Sequence, residues 1–119
     1  MIFHFCGRDV WAAARDSGHY AADSLPTEGF IHCSDLDTVL LPANAIARGR
    51  TDLVLLEIDE ARLPSAPRRE PGDPGDPSSP LFPHVYGPIP VGAVVAVYDF
   101  PCRPDGSFDL PAPLAGRTP

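Results

Sequence analysis

Apolar positions along the chain first predict a strand over residues 1–6, where β-prone side chains predominate. Side chains alternate between the two faces of a strand. Phe3 and Phe5 are therefore expected on one face, and His4 and Cys6 on the other. Gly7 ends this stretch.

The pattern then changes to the period of a helix. Three consecutive alanines followed by Gly18 predict a first helix over residues 9–17. A second helix is predicted over 35–47, because Ser34 is a good N-terminal cap and the apolar residues that follow recur at helical spacing. Pro42 is expected to kink it or split it in two.

Residues 28–34 form the second predicted strand, with Phe30, His32 and Ser34 on one face and Ile31 and Cys33 on the other.

The clearest strand is predicted over residues 52–59, where apolar residues are almost continuous. Such a run is typical of a central strand that is buried on both faces. Glu57 lies in its middle, and a carboxylate there requires a partner or a polar cavity. A further strand is predicted over 93–100.

Residues 64–83 are rich in Pro, Gly, Asp and Ser and are predicted to be a mobile surface loop. We therefore expect a single globular domain over residues 1–110 that contains this loop, followed by a flexible tail over 111–119. The order of elements predicts an α+β fold with small mixed sheets and two helices in its N-terminal half.

Charge narrows the classes of function. The formal net charge is -7, and all nine basic residues are arginines. Without a basic stripe we expect no nucleic-acid binding, and without lysine no Schiff base or phosphate-loop ammonium. The chain contains no apolar run of about 18 residues and no secretory signal, so we expect no membrane span and a cytoplasmic location.

Three of the predicted strands or extended segments each carry one histidine, namely His4, His32 and His84. Each histidine has a polar companion on the same face, and for His84 this is Tyr86. If these faces meet, they form a cleft lined by imidazoles and hydroxyls, which is suited to proton transfer or to binding a small molecule. Glu28 lies in the same motif as His32.

Other interpretations of these residues remain open. A single histidine on a half-buried strand is most often a hydrogen-bonded structural residue. The histidines lack the spacing of a metal motif, so no metal is expected. Cys33 precedes a predicted helix N-terminus, but strand alternation points it away from His32, which favours core packing over nucleophilic catalysis.

The motifs of this chain resemble those of a bacterial domain-of-unknown-function family, family 952, over about residues 1–110. The resemblance rests on His4, Trp11 and Ala14, on Ser24-Leu25, and on the segments 28–34, 53–59 and 82–88.

This resemblance implies a fold like that of the ADP-ribosyltransferases, which bind NAD in a cleft between two small sheets. It would place His4 against the nicotinamide ribose and make Tyr86 or Tyr20 the stacking aromatic. Such proteins often carry a late catalytic Glu in a strand. This chain departs from that pattern, because its last Glu, Glu70, falls in the predicted loop.

Together these observations predict an enzyme with a His- and Tyr-lined pocket for a small molecule, with NAD or ADP-ribose as candidate ligands and no cofactor established. The alternatives are a cofactor-free acid–base enzyme acting on a metabolite and a non-catalytic binding module that uses the Pro-rich loop. The candidate catalytic residues are His4, His32, His84, Tyr86 and Glu28, and the candidate substrate-binding residues are Ser24, Phe30, Ser34 and Tyr20.

Overall fold

The apolar stretches form short strands that a computed structural model, which describes residues 1–118, arranges in three small antiparallel sheets. In chain order the elements are β1 Ile2–Gly7, α1 Arg8–Ser17, β2 His19–Tyr20, α2 Ser24–Glu28, β3 Ile31–His32, α3 Leu40–Ile46, β4 Leu53–Ile58, β5 Arg68–Pro71, β6 Leu81–Val85, β7 Ile89–Pro90 and β8 Val94–Asp99. The predicted α+β class is confirmed. The prediction of mixed sheets is wrong, because every strand pair in the described residues is antiparallel.

The largest apolar run becomes the central strand of the sheet β1-β4-β8, and all six residues of β4 are buried. Glu57 has the partners that its burial requires. Its Oε1 accepts the Tyr98 hydroxyl at 2.6 Å, and the Arg117 guanidinium donates to both carboxylate oxygens at 3.2 and 3.0 Å. The hydrogen bond from Arg117 has the largest effect on the Glu57 pKa and lowers it. The Tyr98 bond lowers it further, whereas burial acts in the opposite direction.

The β1 side chains divide between two apolar clusters as strand alternation predicts. Phe3 and Phe5 pack on one side of the sheet with Phe100. Cys6 packs on the other side with Trp11 of α1. The sheet therefore separates the core into two halves. By strand alternation, His4 lies on the same face of β1 as Cys6.

Helix α1 lies within one residue of its prediction and ends where Gly18 adopts φ 91°, a left-handed conformation that suits glycine. Helix α3 begins five residues later than predicted, because residues 36–39 form turns instead. Pro42 lies in the first turn of α3, where backbone N–H groups have no acceptor within the helix. The helix therefore loses no hydrogen bond at proline. The predicted kink is therefore wrong.

The segment 28–34 is only partly a strand. Glu28 ends the short helix α2, which the sequence did not predict, and Gly29 closes that helix at φ 87° with its N–H donating to the Leu25 carbonyl. The alternation that follows is confirmed on its apolar side, since Ile31 and Cys33 are both in the core.

Residues 64–83, predicted to be a mobile loop, instead hold a β-hairpin. Strand β5 pairs with β6 so that Glu70 lies opposite Phe82 and Arg68 opposite His84. The Gly72 N–H closes the tip on the Pro80 carbonyl at 3.1 Å, and aspartate and serine side chains within the tip accept backbone N–H groups. The Gly-Asp-Pro repeats are therefore turn chemistry between two strands.

The C-terminal segment also differs from the flexible tail predicted over 111–119. Leu114 is fully buried in the Phe3 cluster, and Arg117 pairs with Glu57. Pro119 lies outside the described residues. Within residues 1–118, no helix is long and apolar enough to span a bilayer.

Candidate functional site

A cavity of about 900 Å³ opens between β1, β3, α3 and the tip of the β5–β6 hairpin. Of the predicted site residues, six line its wall: His4, Tyr20, Ser24, His32, Ser34 and His84. Phe30, Tyr86 and Glu28 lie outside the wall, but Phe30 stacks on His84 and Glu28 is hydrogen-bonded to His32, both within it. The three histidines do therefore meet, with the His32 and His84 rings 5.3 Å apart.

Both ring nitrogens of His4 are engaged by the protein. Nδ1 lies 2.5 Å from the His32 carbonyl oxygen, which can only accept, so Nδ1 carries the proton. Nε2 then accepts the Tyr20 hydroxyl at 2.7 Å. Burial lowers the His4 pKa to about 4, so this imidazole is neutral at pH 7 and joins β1 to β3 and β2.

The two thiols in the wall are poor nucleophiles. Burial raises the pKa of Cys6 to about 11 and also raises the pKa of Cys33. A nucleophilic cysteine needs the opposite shift. The expectation that Cys33 packs in the core agrees with its burial among apolar side chains.

Glu28 and His32 form a surface pair. His32 Nε2 lies 3.0 Å from the Glu28 carboxylate, and both side chains are about half exposed. An exposed pair of this kind contributes little to stability. Ser24 has a structural bond, since its hydroxyl donates to the Phe30 carbonyl at 2.7 Å.

His84 lies on the central strand of the sheet β3-β6-β5, between His32 on one side and Arg68 on the other. Its Nδ1 donates to Glu70 Oε1 at 2.9 Å. The Tyr86 hydroxyl donates to the same oxygen at 2.5 Å. The hydrogen bond from Tyr86 is the main cause of a lowered Glu70 pKa, and the bond from His84 is the next largest. Both favour the ionised carboxylate at neutral pH.

The other ring nitrogen of His84 has no partner. Nε2 is buried, and among residues 1–118 it is the one buried side-chain nitrogen or oxygen found without a hydrogen bond. The Phe30 ring stacks on the imidazole at 4.1 Å and 16°, which fixes the plane of the ring. A buried unpaired acceptor costs about 1–3 kcal/mol, so its presence on a residue that lines the cavity calls for an explanation.

Glu70 is not among the predicted site residues, because the sequence predicts a loop over residues 64–83. The available signal was the pair of short stretches on either side of the Gly-Asp-Pro turns, residues 68–71 and 81–85, which have the spacing of hairpin strands around a turn-rich tip. Arg68 was missed for the same reason. Its guanidinium lies 4.7 Å from the centre of the Tyr86 ring, over which it stacks.

The described residues contain no group of three or more His, Cys, Asp or Glu side chains arranged to hold a metal ion. What the arrangement offers chemically is an imidazole whose first nitrogen is held by a carboxylate and whose second is unpaired. This is the geometry of a general base or acid.

Comparison with known proteins adds a family and a fold. The family model described as a protein of unknown function (DUF952) matches residues 5–97. A search of the curated proteins finds no match.

Solved structures of protein CC0527 from Caulobacter crescentus are similar to this chain. The crystal structure is 29% identical, covers 96% of this chain and 97% of its own, and gives a TM-score of 0.83. The crystal structure of a double mutant of the same protein is 28% identical, covers 96% of this chain and 97% of its own, and gives a TM-score of 0.82. The solution structure is 28% identical, covers 89% of each chain and gives a TM-score of 0.76.

Proposed function

This chain belongs to the DUF952 family of proteins of unknown function, and we propose that it is an enzyme in which His84, held by Glu70, transfers a proton to or from a small molecule bound in the cavity. The observation that carries this proposal is that His84, a residue of the cavity wall, has a buried Nε2 without a hydrogen-bond partner. In neutral His84 that atom is a lone-pair acceptor, because the proton is held on Nδ1 by the Glu70 carboxylate.

Glu70 supports this role in two ways. Its carboxylate selects the tautomer that leaves Nε2 basic, and its negative charge stabilises the imidazolium that forms when Nε2 takes a proton. The Tyr86 hydroxyl holds the carboxylate in place, and the Phe30 ring holds the imidazole plane. Glu70 and Tyr86 are therefore positioning residues, and His84 is the group that meets the substrate.

His4 and Tyr20 are a contrasting pair in the same wall. Each has its polar atoms committed to the other or to the backbone, and His4 stays neutral. They shape the cavity without supplying a free proton acceptor. His32 is exposed and paired with Glu28, which makes it a secondary candidate at the cavity edge.

Hydrolysis of p-nitrophenyl acetate tests whether His84 can act as a base. His84 Nε2 removes a proton from a water molecule as the water oxygen bonds to the acyl carbon; p-nitrophenolate leaves, and the proton returns to solvent. We expect a rate above background that rises as an imidazole loses its proton. His84→Gln should lower that rate at least about tenfold.

Two further variants complete this experiment. Glu70→Gln should lower the rate and shift the pH profile, because the imidazolium loses its counter-charge. His19→Gln is the control, since His19 is an exposed histidine outside the cavity. A rate that survives His84→Gln in a folded protein, or that His19→Gln abolishes equally, would overturn the proposal.

Binding of NAD or ADP-ribose in an ADP-ribosyltransferase-like cleft is a second candidate function. One observation favours it. Glu70, which the sequence placed in a loop, lies in strand β5 beside the aromatic Tyr86, so a late Glu in a strand is present after all. Against it, the two ring nitrogens of His4 are already bonded to the protein, so a ribose contact requires Tyr20 to move.

Titration of the protein with NAD and ADP-ribose, followed by two-dimensional NMR, tests this candidate. Binding should move the amide signals of β1 and β5, and Tyr20→Phe and Glu70→Gln should each weaken it. No change in the spectrum at millimolar ligand would remove NAD from consideration while leaving acid–base catalysis by His84 intact.

A further inference from the structure

The walls of the cavity are apolar on three sides. Phe3 and Phe5 line it from β1, Leu41 and Ala45 from α3, and Phe82 from β6. Its volume, about 900 Å³, is at the upper end of the range for sites that enclose a drug-sized molecule. A ligand of that size would therefore bury most of its surface against hydrocarbon.

The polar groups in the wall are largely satisfied before any ligand arrives. His4, Tyr20 and Ser24 spend their polar atoms on partners within the protein. In the hairpin tip, the Ser79 hydroxyl donates to the Pro80 carbonyl and accepts the Asp73 N–H. Such groups add shape to a site but offer few new hydrogen bonds.

Among residues 1–118, the one guanidinium in the wall is already paired with a carboxylate. Arg50 donates to both carboxylate oxygens of Asp52, at 3.0 and 2.7 Å. The other charged side chains of the wall are the acids Asp23 and Asp73, and the whole chain carries a net charge of -7. A phosphate or carboxylate entering the cavity would find repulsion and no unpaired cation.

The mouth of the cavity continues the apolar character. Leu41 and Ile46 of α3 and Val10 of α1 line the cavity and are more than half exposed. Large apolar side chains exposed around a concave site are typical of a surface that a ligand covers. The buried Nε2 of His84 is the complementary polar feature, because it is an acceptor that lacks a donor.

We propose that the natural substrate is an uncharged, mainly apolar small molecule that carries a hydroxyl, and that this hydroxyl donates a hydrogen bond to His84 Nε2 while the apolar body fills the cavity between β1 and α3. The assignment of substrate class rests on the proposed role of His84. It adds that recognition depends on burial of hydrocarbon and on one donor, with no anion-binding group.

Three matched probes separate these features: para-butylphenol, para-butylanisole, which lacks the donor, and para-butylbenzoate, which is an anion at pH 7. Binding is measured by NMR titration of the full chain. We expect the phenol to bind at least about tenfold more tightly than the anisole, because only the phenol can donate a hydrogen bond to Nε2. The difference in affinity between the phenol and the benzoate should be larger, because the benzoate is an anion.

Two pairs of variants locate the site. Ile46→Glu places a charge at the mouth and should weaken binding of the phenol, whereas Val97→Glu places it on β8, away from the cavity, and should not. His84→Gln should reduce the phenol to the affinity of the anisole. An equal or higher affinity for the benzoate, or no binding by any of the three probes, would overturn the substrate class.

The two proposals can fail separately. If the phenol binds as expected but ester hydrolysis does not depend on His84, the substrate class stands and the catalytic role fails. If hydrolysis depends on His84 but the benzoate binds best, the catalytic role stands and the apolar substrate class is wrong.

Discussion

Two carboxylates in this molecule, Glu57 and Glu70, have nearly the same hydrogen-bond partners and opposite consequences. Each accepts a tyrosine hydroxyl on Oε1, from Tyr98 at 2.6 Å and from Tyr86 at 2.5 Å. Each also accepts from a nitrogen side chain. For Glu57 this is the guanidinium of Arg117, which stays charged at any ordinary pH. For Glu70 it is the imidazole of His84.

The difference lies in what the nitrogen partner has left over. Arg117 donates to both oxygens of Glu57, and its charge is fixed, so this cluster can only hold the C-terminal segment on the sheet. His84 spends one nitrogen on Glu70 and keeps a second that is unpaired and can change protonation. The two clusters therefore differ in one property. Only the nitrogen partner of Glu70 has an unpaired atom that can exchange a proton.

Loss of the Arg117 side chain should give the largest loss of stability. Arg117→Met leaves the buried Glu57 carboxylate without its cation, and we expect a clear fall in the free energy of unfolding. Urea unfolding measures this. Arg8→Met is the matched control, because the Arg8–Asp99 pair is exposed on both sides. Equal losses in both variants would mean that Glu57 needs no cation.

His4 has an environment different from that of His84, and it should make the stability of the fold depend on pH. Its pKa in the folded protein, about 4, lies below the unfolded value of 6.5, so between these values the unfolded chain binds more protons. The stability that neutral His4 supports is therefore present above pH 6.5 and is lost as pH falls towards 4. We expect a change of about 2 kcal/mol, allowing for the partial exposure of this residue.

Urea unfolding at a series of pH values checks this expectation for His4. His4→Gln, which keeps an amide donor for the His32 carbonyl, should be less stable at pH 7 but should lose less stability between pH 6.5 and 4. A variant whose stability falls as steeply as that of the wild type would assign the acid dependence to other groups.

The two tyrosines should separate stability from activity. Tyr98→Phe removes a hydrogen bond to the buried Glu57, and we expect a loss of about 1 kcal/mol with no effect on ester hydrolysis. Tyr86→Phe removes a bond to the more exposed Glu70, so its effect should be on the pH profile of hydrolysis instead. Thermal unfolding and the ester assay on both variants measure the contrast, and a reversed pattern would contradict it.

The smallest change in stability is expected for Glu70→Gln. The amide oxygen still accepts from Tyr86 and from His84 Nδ1, and the site is open to solvent on the Glu70 side. We expect an unchanged urea midpoint together with lower activity. A large loss of stability would make Glu70 a structural carboxylate of the same kind as Glu57.

The sequence predicted the Glu57 region well and the Glu70 region poorly. The run around Glu57 is long and apolar, so its strand, its burial and its need for a partner follow from local pattern alone. That the partner is Arg117 could not be predicted, because the two residues are 60 positions apart and the C-terminal segment was expected to fray.

The grouping of the three histidines in the candidate site could be predicted, because each lies in a motif dense in polar side chains. His4, His32 and His84 do line one cavity. Strand alternation could not show that His4 is fully bonded or that His84 is not, because both properties depend on contacts between distant segments. Glu70 was missed because proline- and glycine-rich sequence masked the short strand β5, whose pairing with β6 is a tertiary property.

The β5–β6 hairpin carries Glu70, His84 and Tyr86 on one continuous stretch of chain, while its tip, which includes Gly72 and Pro80, lines the cavity mouth. The entropy of closing a loop grows only slowly with loop length, so the tip can gain or lose residues at little cost to the fold. The hairpin tip can therefore diverge between relatives, or be redesigned, while Glu70, His84 and Tyr86 keep their places.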